Sequence, residues 1–232
     1  MTMPFSPELP AVNLQGQALG RKGQLTRMRL IATLEDLLKH RPLRDLRVMD
    51  ICREAKTAPG TFYLYFRDVE DLALEAIRKC QELPQELNEL LAQDWPTEQS
   101  FDYAKRFISG YVAYWEERYH LLHMRNLAAD EGNQAMIDLR HSCVVPLLEQ
   151  VAEKIHKARS ARSAQEVLNP IAAATVFMGG LERLAAVFRF HVSLRSDMTV
   201  EDVITAQAWV LARMLGQQDI HTPECPIKGS HG

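Results

Sequence analysis

A chain of 232 residues that is 47% hydrophobic and 25% charged is long enough to bury a core without disulfide or metal staples and lacks the polar bias of a disordered chain. Its four cysteines, Cys52, Cys80, Cys143 and Cys225, stand far apart with no C-x-x-C pair, which argues against a disulfide framework or a zinc ribbon and fits a reducing cytoplasm. The net charge of −3 conceals a division: residues 20–67 hold 11 Lys/Arg against five Asp/Glu, a local +6, and leave 16 against 25 elsewhere, so positive charge is concentrated where phosphate attraction would use it.

Residues 1–19 carry three prolines, little charge and no clear period, and read as a flexible arm. Met1–Pro10 lacks the basic segment and apolar run of a signal peptide, and no apolar stretch reads as long enough to span a bilayer, so a soluble, cytoplasmic protein with no membrane partner is expected. A first helix is predicted from about Thr26 to His40, with Leu30, Leu34, Leu37 and Leu38 on one face and Arg41-Pro42 closing it. Val48, Ile51, Cys52 and Ala55 then follow i, i+3, i+4, i+7 over two turns. After Lys56-Thr57-Ala58-Pro59, a second short helix carries Phe62 and Phe66 at i, i+4, with Thr57 as its expected N-cap and Pro59 in its first turn. Two short helices joined by a tight turn form a helix-turn-helix.

Asp68 is placed to cap a fourth helix carrying Leu72, Ala73, Ala76, Ile77 and Cys80. Longer helices are predicted at about 86–93, 98–118, 119–130, 133–157, 165–192 and 199–216, and no segment alternates as a strand. The expected fold class is all-α. A flexible arm (1–19) and a helix-turn-helix domain of three helices (20–67) precede a larger helical domain (68–216) and an irregular tail (217–232).

The run Val48-Met49-Asp50-Ile51-Cys52-Arg53-Glu54-Ala55, followed by Ala58-Pro59-Gly60-Thr61-Phe62-Tyr63-Leu64-Tyr65-Phe66 and then Glu70 and Leu72, resembles the signature of the TetR family of bacterial repressors. The resemblance covers about 50 residues of this chain and implies that Thr61 and Tyr63 approach bases and phosphates in the major groove, with Tyr65 on the same side. The apolar register agrees, because Phe62 and Phe66 pointing inward leave those three facing elsewhere. Gly60 would let backbone approach a duplex closely. The sequence departs from the family pattern where the turn usually reads Gly-Val-Ser and here reads Lys56-Thr57-Ala58, where a common Thr is Arg47, and where a frequent Lys is Val69. An altered turn is expected, with Lys56 as an added phosphate contact and Arg67 or Arg47 replacing the lost cation. Arg21, Lys22, Arg27 and Arg29 are read as a basic arm along the backbone or minor groove. The expected DNA-binding set is Arg21, Lys22, Arg47, Lys56, Thr57, Pro59, Gly60, Thr61, Tyr63 and Tyr65.

Farther on, Phe101, Ala104, Phe107, Ile108, Tyr111, Tyr114 and Trp115 line one broad apolar face. The resemblance implies that such central helices surround a pocket for a small-molecule effector, with Tyr103, Phe107, Tyr111, Tyr114, Trp115, His123, Arg125, His141 and Phe177 as the expected lining and no cofactor or metal. Ile171, Ala174, Phe177, Met178, Leu181, Leu184, Ala185, Phe188 and Val192 form one stripe and Val203, Ala206, Val210 and Met214 another. The resemblance implies that these last two helices pair with their copies in a homodimer, which would read a two-fold symmetric operator in double-stranded DNA.

No catalytic motif stands out and no enzyme is expected. Glu117-x-x-His120 and Glu153-x-x-His156 match the spacing of di-iron bundles, but Leu147, Leu148, Val151 and Ile155 set an apolar face that puts Glu153 on the wet side. His120, His123 and His141 offer a second metal alternative. A third alternative keeps the helix-turn-helix fold without DNA binding, as a ligand carrier or a protein-interaction module.

Overall fold

The computed structural model describes residues 12–78, 82–160, 169–191 and 198–220. Among these, the elements are α1 (Arg21–Leu38), α2 (Val48–Glu54), α3 (Pro59–Tyr65), α4 (Val69–Arg78), α5 (Gln85–Ala92), α6 (Ser100–Asp130), α7 (Gln134–Ser160), α8 (Pro170–His191) and α9 (Val200–Met214), with short 3-10 turns at Leu43–Asp45 and Thr97–Gln99. No strand occurs among the described residues, only an isolated bridge between Val12 and Ala18. The expected all-α class holds. Residues 1–11 of the expected arm, Cys80 of the expected fourth helix, residues 165–168 of the expected 165–192 helix and the tail beyond Ile220 lie outside the described residues.

The chain divides into two compact units, one of Met1–Glu82 with Arg118–Cys143, the other of Leu83–Glu117 with Val144–Gly232. The division within α6 falls where that helix loses helical geometry, at Arg118 with φ −112° and ψ 16°. Two helices were expected to meet there, and the structure joins them across a kink. The division within α7 falls three residues before Pro146, where a missing N–H removes one rung of the hydrogen-bond ladder.

In the first unit, α1 packs on α2 and α4, and α2 on α3. Leu30, Ile31, Leu34, Ile51, Phe62, Phe66, Leu72 and Ile77 are all buried, each such side chain contributing roughly 1.5–3 kcal/mol on removal from water. Arg27 shares this interior, contrary to its reading as a DNA-contacting cation. Its guanidinium pairs with Glu75 of α4 at 3.1 Å and lies 5.2 Å from the centre of the Phe66 ring. It falls on the same helical face as Leu30, Leu34 and Leu38, so the period that buries them buries it. Asp68 caps α4 as expected, its Oδ1 accepting the Asp71 N–H at 2.7 Å.

The N-terminal segment differs from a free arm. From Val12 to Ala18 it closes on itself in a hydrogen-bonded turn, and Arg21 and Lys22 belong to the first turn of α1. A helix start was not readable there because Arg21, Lys22 and Leu25 are exposed and set no apolar period.

In the second unit the interior is drawn from Leu87, Leu90, Phe107, Tyr111, Trp115, Val151, Ile155, Phe177, Leu181, Ala208 and Leu211. Helices α5 and α6 meet at Gly110, where a Cβ would run into the Leu87 side chain. Helix α9 starts with a Thr199–Asp202 capping box and ends at Gly216 with φ +94°. Gln217 then accepts the Phe101 N–H at 2.8 Å and donates to the Glu98 carbonyl at 2.9 Å.

The stripe expected on α9 proves to be its outward face. Ala206 and Val210 are exposed, whereas Ile204, Ala208, Leu211 and Ala212 face the interior. On α8, Ala174, Phe177, Met178, Leu181 and Ala185 are buried while Ile171 is exposed; the side chains of Phe188 and Val192 lie outside the described residues. Contrary to the sequence reading, Pro170–Val187 is long and apolar enough to cross a membrane by length and composition. It carries the adjacent charges Glu182 and Arg183, and its length reflects apolar residues on two faces.

Candidate nucleic-acid interface

Helix α2 begins at Arg47, whose side chain has no acceptor atom with which to cap it. Asp50 supplies the cap, Oδ2 accepting the Arg47 N–H at 3.2 Å, and it also receives Arg41 at 3.3 Å and Arg53 at 2.8 Å. The Arg47 N–H and then the Arg41 guanidinium hold the Asp50 carboxyl below its ordinary pKa. Arg53 and Arg41 are thus engaged, while the Arg47 guanidinium is exposed and makes no ion pair with a described residue. Arg67 is likewise held, at 3.0 Å by Asp71.

The turn after α2 is a Schellman motif. Thr57 N–H bonds to the Cys52 carbonyl at 2.9 Å and Lys56 N–H to that of Arg53 at 3.3 Å, with Lys56 at φ +51°. The position normally suits glycine, and an L-residue there costs roughly 1–2 kcal/mol. This is the altered turn expected from the departure at Lys56. The Lys56 side chain is exposed and unpaired with any described residue.

Thr57 does not cap α3, contrary to expectation: the N-cap is Ala58, with Pro59 at the first helical position and no side-chain cap bond. The helix starts one residue later than a Thr57 cap requires, and the alanine at that place has no side-chain acceptor. Along α3, Phe62 and Phe66 are buried with ring centres 5.7 Å apart. Tyr63 is 50% exposed, its ring edge-on to Phe62 at 5.5 Å. A Cβ on Gly60 would meet nothing within 4 Å, so the chain itself gives no reason for glycine there. Thr61 and Tyr65 are half-buried, and the Tyr65 hydroxyl lies 3.4 Å from where a Gly23 Cβ would stand. Tyr65 therefore packs toward α1 and is less exposed than its register suggested.

Arg21 and Lys22 are exposed in the first turn of α1, which holds no acidic residue and has no side-chain cap. Helix-dipole electrostatics disfavour cations at that end, so their placement serves something other than helix stability.

The residues expected around an effector are distributed over both units. Phe107, Tyr111, Tyr114 and Trp115 of α6 and Phe177 of α8 are buried in the second. There an aromatic ladder runs from Tyr103, stacked on Trp95 at 5.7 Å, through Phe107 to Tyr111 and Tyr114 at 6.0 and 6.1 Å. Trp95 was not anticipated, since a single aromatic beside Pro96 carries no periodic signal. A groove of about 660 Å³ in the same unit is lined by Glu86, Leu87, Leu90, Asp102, Lys105, Arg106 and Ser109, none of which was anticipated. His123, Arg125 and His141 belong to the first unit. His123 is exposed and stacks on Tyr119 at 5.2 Å, Arg125 is buried against Asn126, and His141 is exposed. Among the described residues no three His, Cys, Asp or Glu side chains converge on a metal site, and Glu153 faces solvent, 3.6 Å from Lys157.

Two family models match the chain: the bacterial regulatory proteins of the tetR family over residues 30–76, and the tetracyclin repressor-like C-terminal domain over 87–210. No curated protein matches it. Similar solved structures include the fatty acid degradation regulator FadR of Bacillus halodurans (15% identity, 86% of this chain and 97% of that one, TM-score 0.59). FadR of Bacillus subtilis, solved in complex with stearoyl-CoA, is also 15% identical (83% and 99% covered, TM-score 0.59). A regulatory protein TetR of Rhodobacter sphaeroides is 20% identical (82% and 98%, TM-score 0.53). With the helix-turn-helix model and the C-terminal model both matched, the latter over more than half of its length, the chain belongs to the TetR family of bacterial transcriptional regulators.

Proposed function

We propose that this protein is a ligand-responsive repressor, acting in the cytoplasm, that binds a two-fold symmetric operator as a homodimer. The observation that carries the DNA-binding part is the set of exposed groups on the helix-turn-helix unit that the fold does not use: Tyr63 and Gly60 on α3, Lys56 in a left-handed turn, and the unpaired Arg21, Lys22 and Arg47. Such cations supply the sequence-independent attraction to phosphate, and the side chains of α3 supply base contacts.

The homodimer is supported by the outward faces of α8 and α9, where Ile171, Val176, Trp209 and Val210 are exposed, Val176 to 78%. Exposed apolar side chains in this number on two neighbouring helices mark an interaction surface, and an isologous pairing would bring two copies of α3 to one duplex. The aromatic ladder from Trp95 to Tyr114 favours an effector with apolar or aromatic bulk. Binding of stearoyl-CoA belongs to the Bacillus subtilis neighbour, and long-chain acyl compounds are therefore sensible first members of a ligand screen. An effector that binds the DNA-free form more tightly releases the operator by the same free energy.

The test is selection of duplexes from a random pool by the purified protein, followed by affinity measurements on the winners at several salt concentrations. A palindromic consensus, one dimer per duplex by light scattering and a steep salt slope are expected. Failure to enrich any sequence at low salt, with the protein folded, would sink the reading.

A further inference from the structure

The segment before α1 is a built element. Asn13 Oδ1 accepts the N–H groups of Gln15 at 3.0 Å and Gln17 at 2.9 Å, and its Nδ2 donates to the Gln17 side chain at 2.9 Å. The backbone closes the same turn, Asn13 N–H to the Gln17 carbonyl at 2.9 Å and Gly16 N–H to the Asn13 carbonyl at 3.0 Å, with Gly16 at φ +76° and Val12 bridged to Ala18. One side chain thus organises the whole turn in the manner of an Asx turn.

This turn is fastened to α3. The Leu14 N–H donates to the Leu64 carbonyl at 3.0 Å, one of the last carbonyls of α3, which no residue of that helix can satisfy. Helix α1 comes up to the same helix end, for a Cβ at Gly23 would stand 3.4 Å from the Tyr65 hydroxyl. Leu14 itself is 49% exposed, so the attachment is made by backbone and not by burial. A helix of two turns is marginal on its own, and a bond to its terminal carbonyl bears on its order.

We infer that the Asn13–Gln17 turn is a clamp on the end of the recognition helix, with Asn13 its positioning residue. The inference rests on the DNA-binding reading. The Asn13 side-chain oxygen and nitrogen are both committed within the turn, so Asn13 acts through Leu14 and α3 and does not touch DNA. Its loss frees Leu14, leaves the Leu64 carbonyl to solvent and loosens the helix that carries Thr61 and Tyr63.

The test compares the full-length protein with Asn13→Ala and Asn13→Asp on a duplex taken from the selection. Asn13→Ala should weaken binding about three- to tenfold, the scale of one lost hydrogen bond, with an unchanged salt slope and melting temperature. In amide exchange, Leu14 and the last turn of α3 should lose protection. Asn13→Asp, which keeps the accepting oxygen, should retain both affinity and protection. Wild-type affinity in Asn13→Ala would overturn the clamp, as would a shallower salt slope, which would place the turn on phosphate, or an Asn13→Asp variant as impaired as the alanine. If the parent binds no duplex, the DNA reading fails by itself. Amide exchange then still decides the clamp, which stands if Asn13→Ala exposes Leu14 and the end of α3 and falls if it does not.

Discussion

The two units treat their positive charge differently. In the helix-turn-helix unit Arg21, Lys22, Arg29, Arg47 and Lys56 are exposed with no ion pair to a described residue, while Arg27 is buried against Glu75. In the second unit Lys105 is held by Glu201 at 2.6 Å and Lys157 by Glu153 at 3.6 Å. Lys154 donates to the Gln93 carbonyl at 2.6 Å, and Arg106 and Arg213 lie over Tyr103 and Trp209. Among the described residues of this unit Arg183, exposed on α8, is an exception. A cation kept by its own chain serves the fold, and one left unsatisfied at a cost to the fold, as at Lys56 and in the first turn of α1, is available to a partner.

The strongest way to break that division is at Arg27, the cation that α1 buries. Glu75→Ala should destabilise the protein by about 3–5 kcal/mol, because it strands the Arg27 charge in the interior. The Arg27 Nη1 already has no hydrogen-bond partner, so no spare contact compensates. The double variant Arg27→Met/Glu75→Leu should recover most of the loss in urea denaturation. Recovery would show that Arg27 is structural; a double variant that refolds but loses DNA binding would return Arg27 to the interface.

On α3 itself, Tyr63→Ala should weaken operator binding on the order of tenfold, ~1.4 kcal/mol, with little change in melting temperature, since half of the ring is outside the core. Unchanged affinity with a folded protein would remove Tyr63 from the site. Lys56→Gly sharpens the contrast by moving two observables in opposite directions. Relief of the left-handed strain, less the extra chain entropy of glycine, should raise stability by up to about 1 kcal/mol. Loss of the ammonium should reduce the salt slope by about 0.9. The same turn after α6 and α9 already has glycine, at Gly132 and Gly216, so the gain has two internal references. Arg21→Gln/Lys22→Gln should lower the slope by up to about twice that amount, whereas Lys105→Gln should leave it unchanged.

How far such contrasts could be read in advance depends on whether a residue's partner shares its own period. The two short helices α2 and α3, the turn between them and the cap at Asp68 follow from apolar spacing and a capping residue, all local quantities, and the structure contains them. Lys56 was visible as a departure from glycine in a turn that needs it. Arg27 was misread because its partner, Glu75, lies on a helix far along the chain, although its register beside Leu30 and Leu34 carried the signal. Thr57 was misread because a capping residue type does not by itself fix where a helix starts: the chain closes α2 at Thr57, whose N–H bonds to the Cys52 carbonyl, and starts α3 from Ala58. For α9 the visible stripe was real but pointed outward: a helix apolar on two sides has no single face for period alone to choose.

The smallest effect concerns Lys154, where the second unit keeps its cation least comfortably. Burial pushes this ammonium down to about 8 from its ordinary 10.5, against the pull of Asp94 and with help from Lys157. The Trp95 face at 4.6 Å and the Gln93 carbonyl are its compensations. Between pH 8 and 10.5 the unfolded chain binds this proton and the folded one does not, so the Lys154 contribution makes stability rise with pH across that window and leaves the full penalty in place below it. Lys154→Met should remove the rise, by under about 1 kcal/mol because the side chain is half in solvent. Denaturation of parent and variant at pH 7.5, 9 and 10.5 isolates it, since other groups titrate equally in both. An identical pH slope would mean that the indole and carbonyl fully replace the lost hydration. Lys154 would then count with Lys105 among the cations that the second unit satisfies completely.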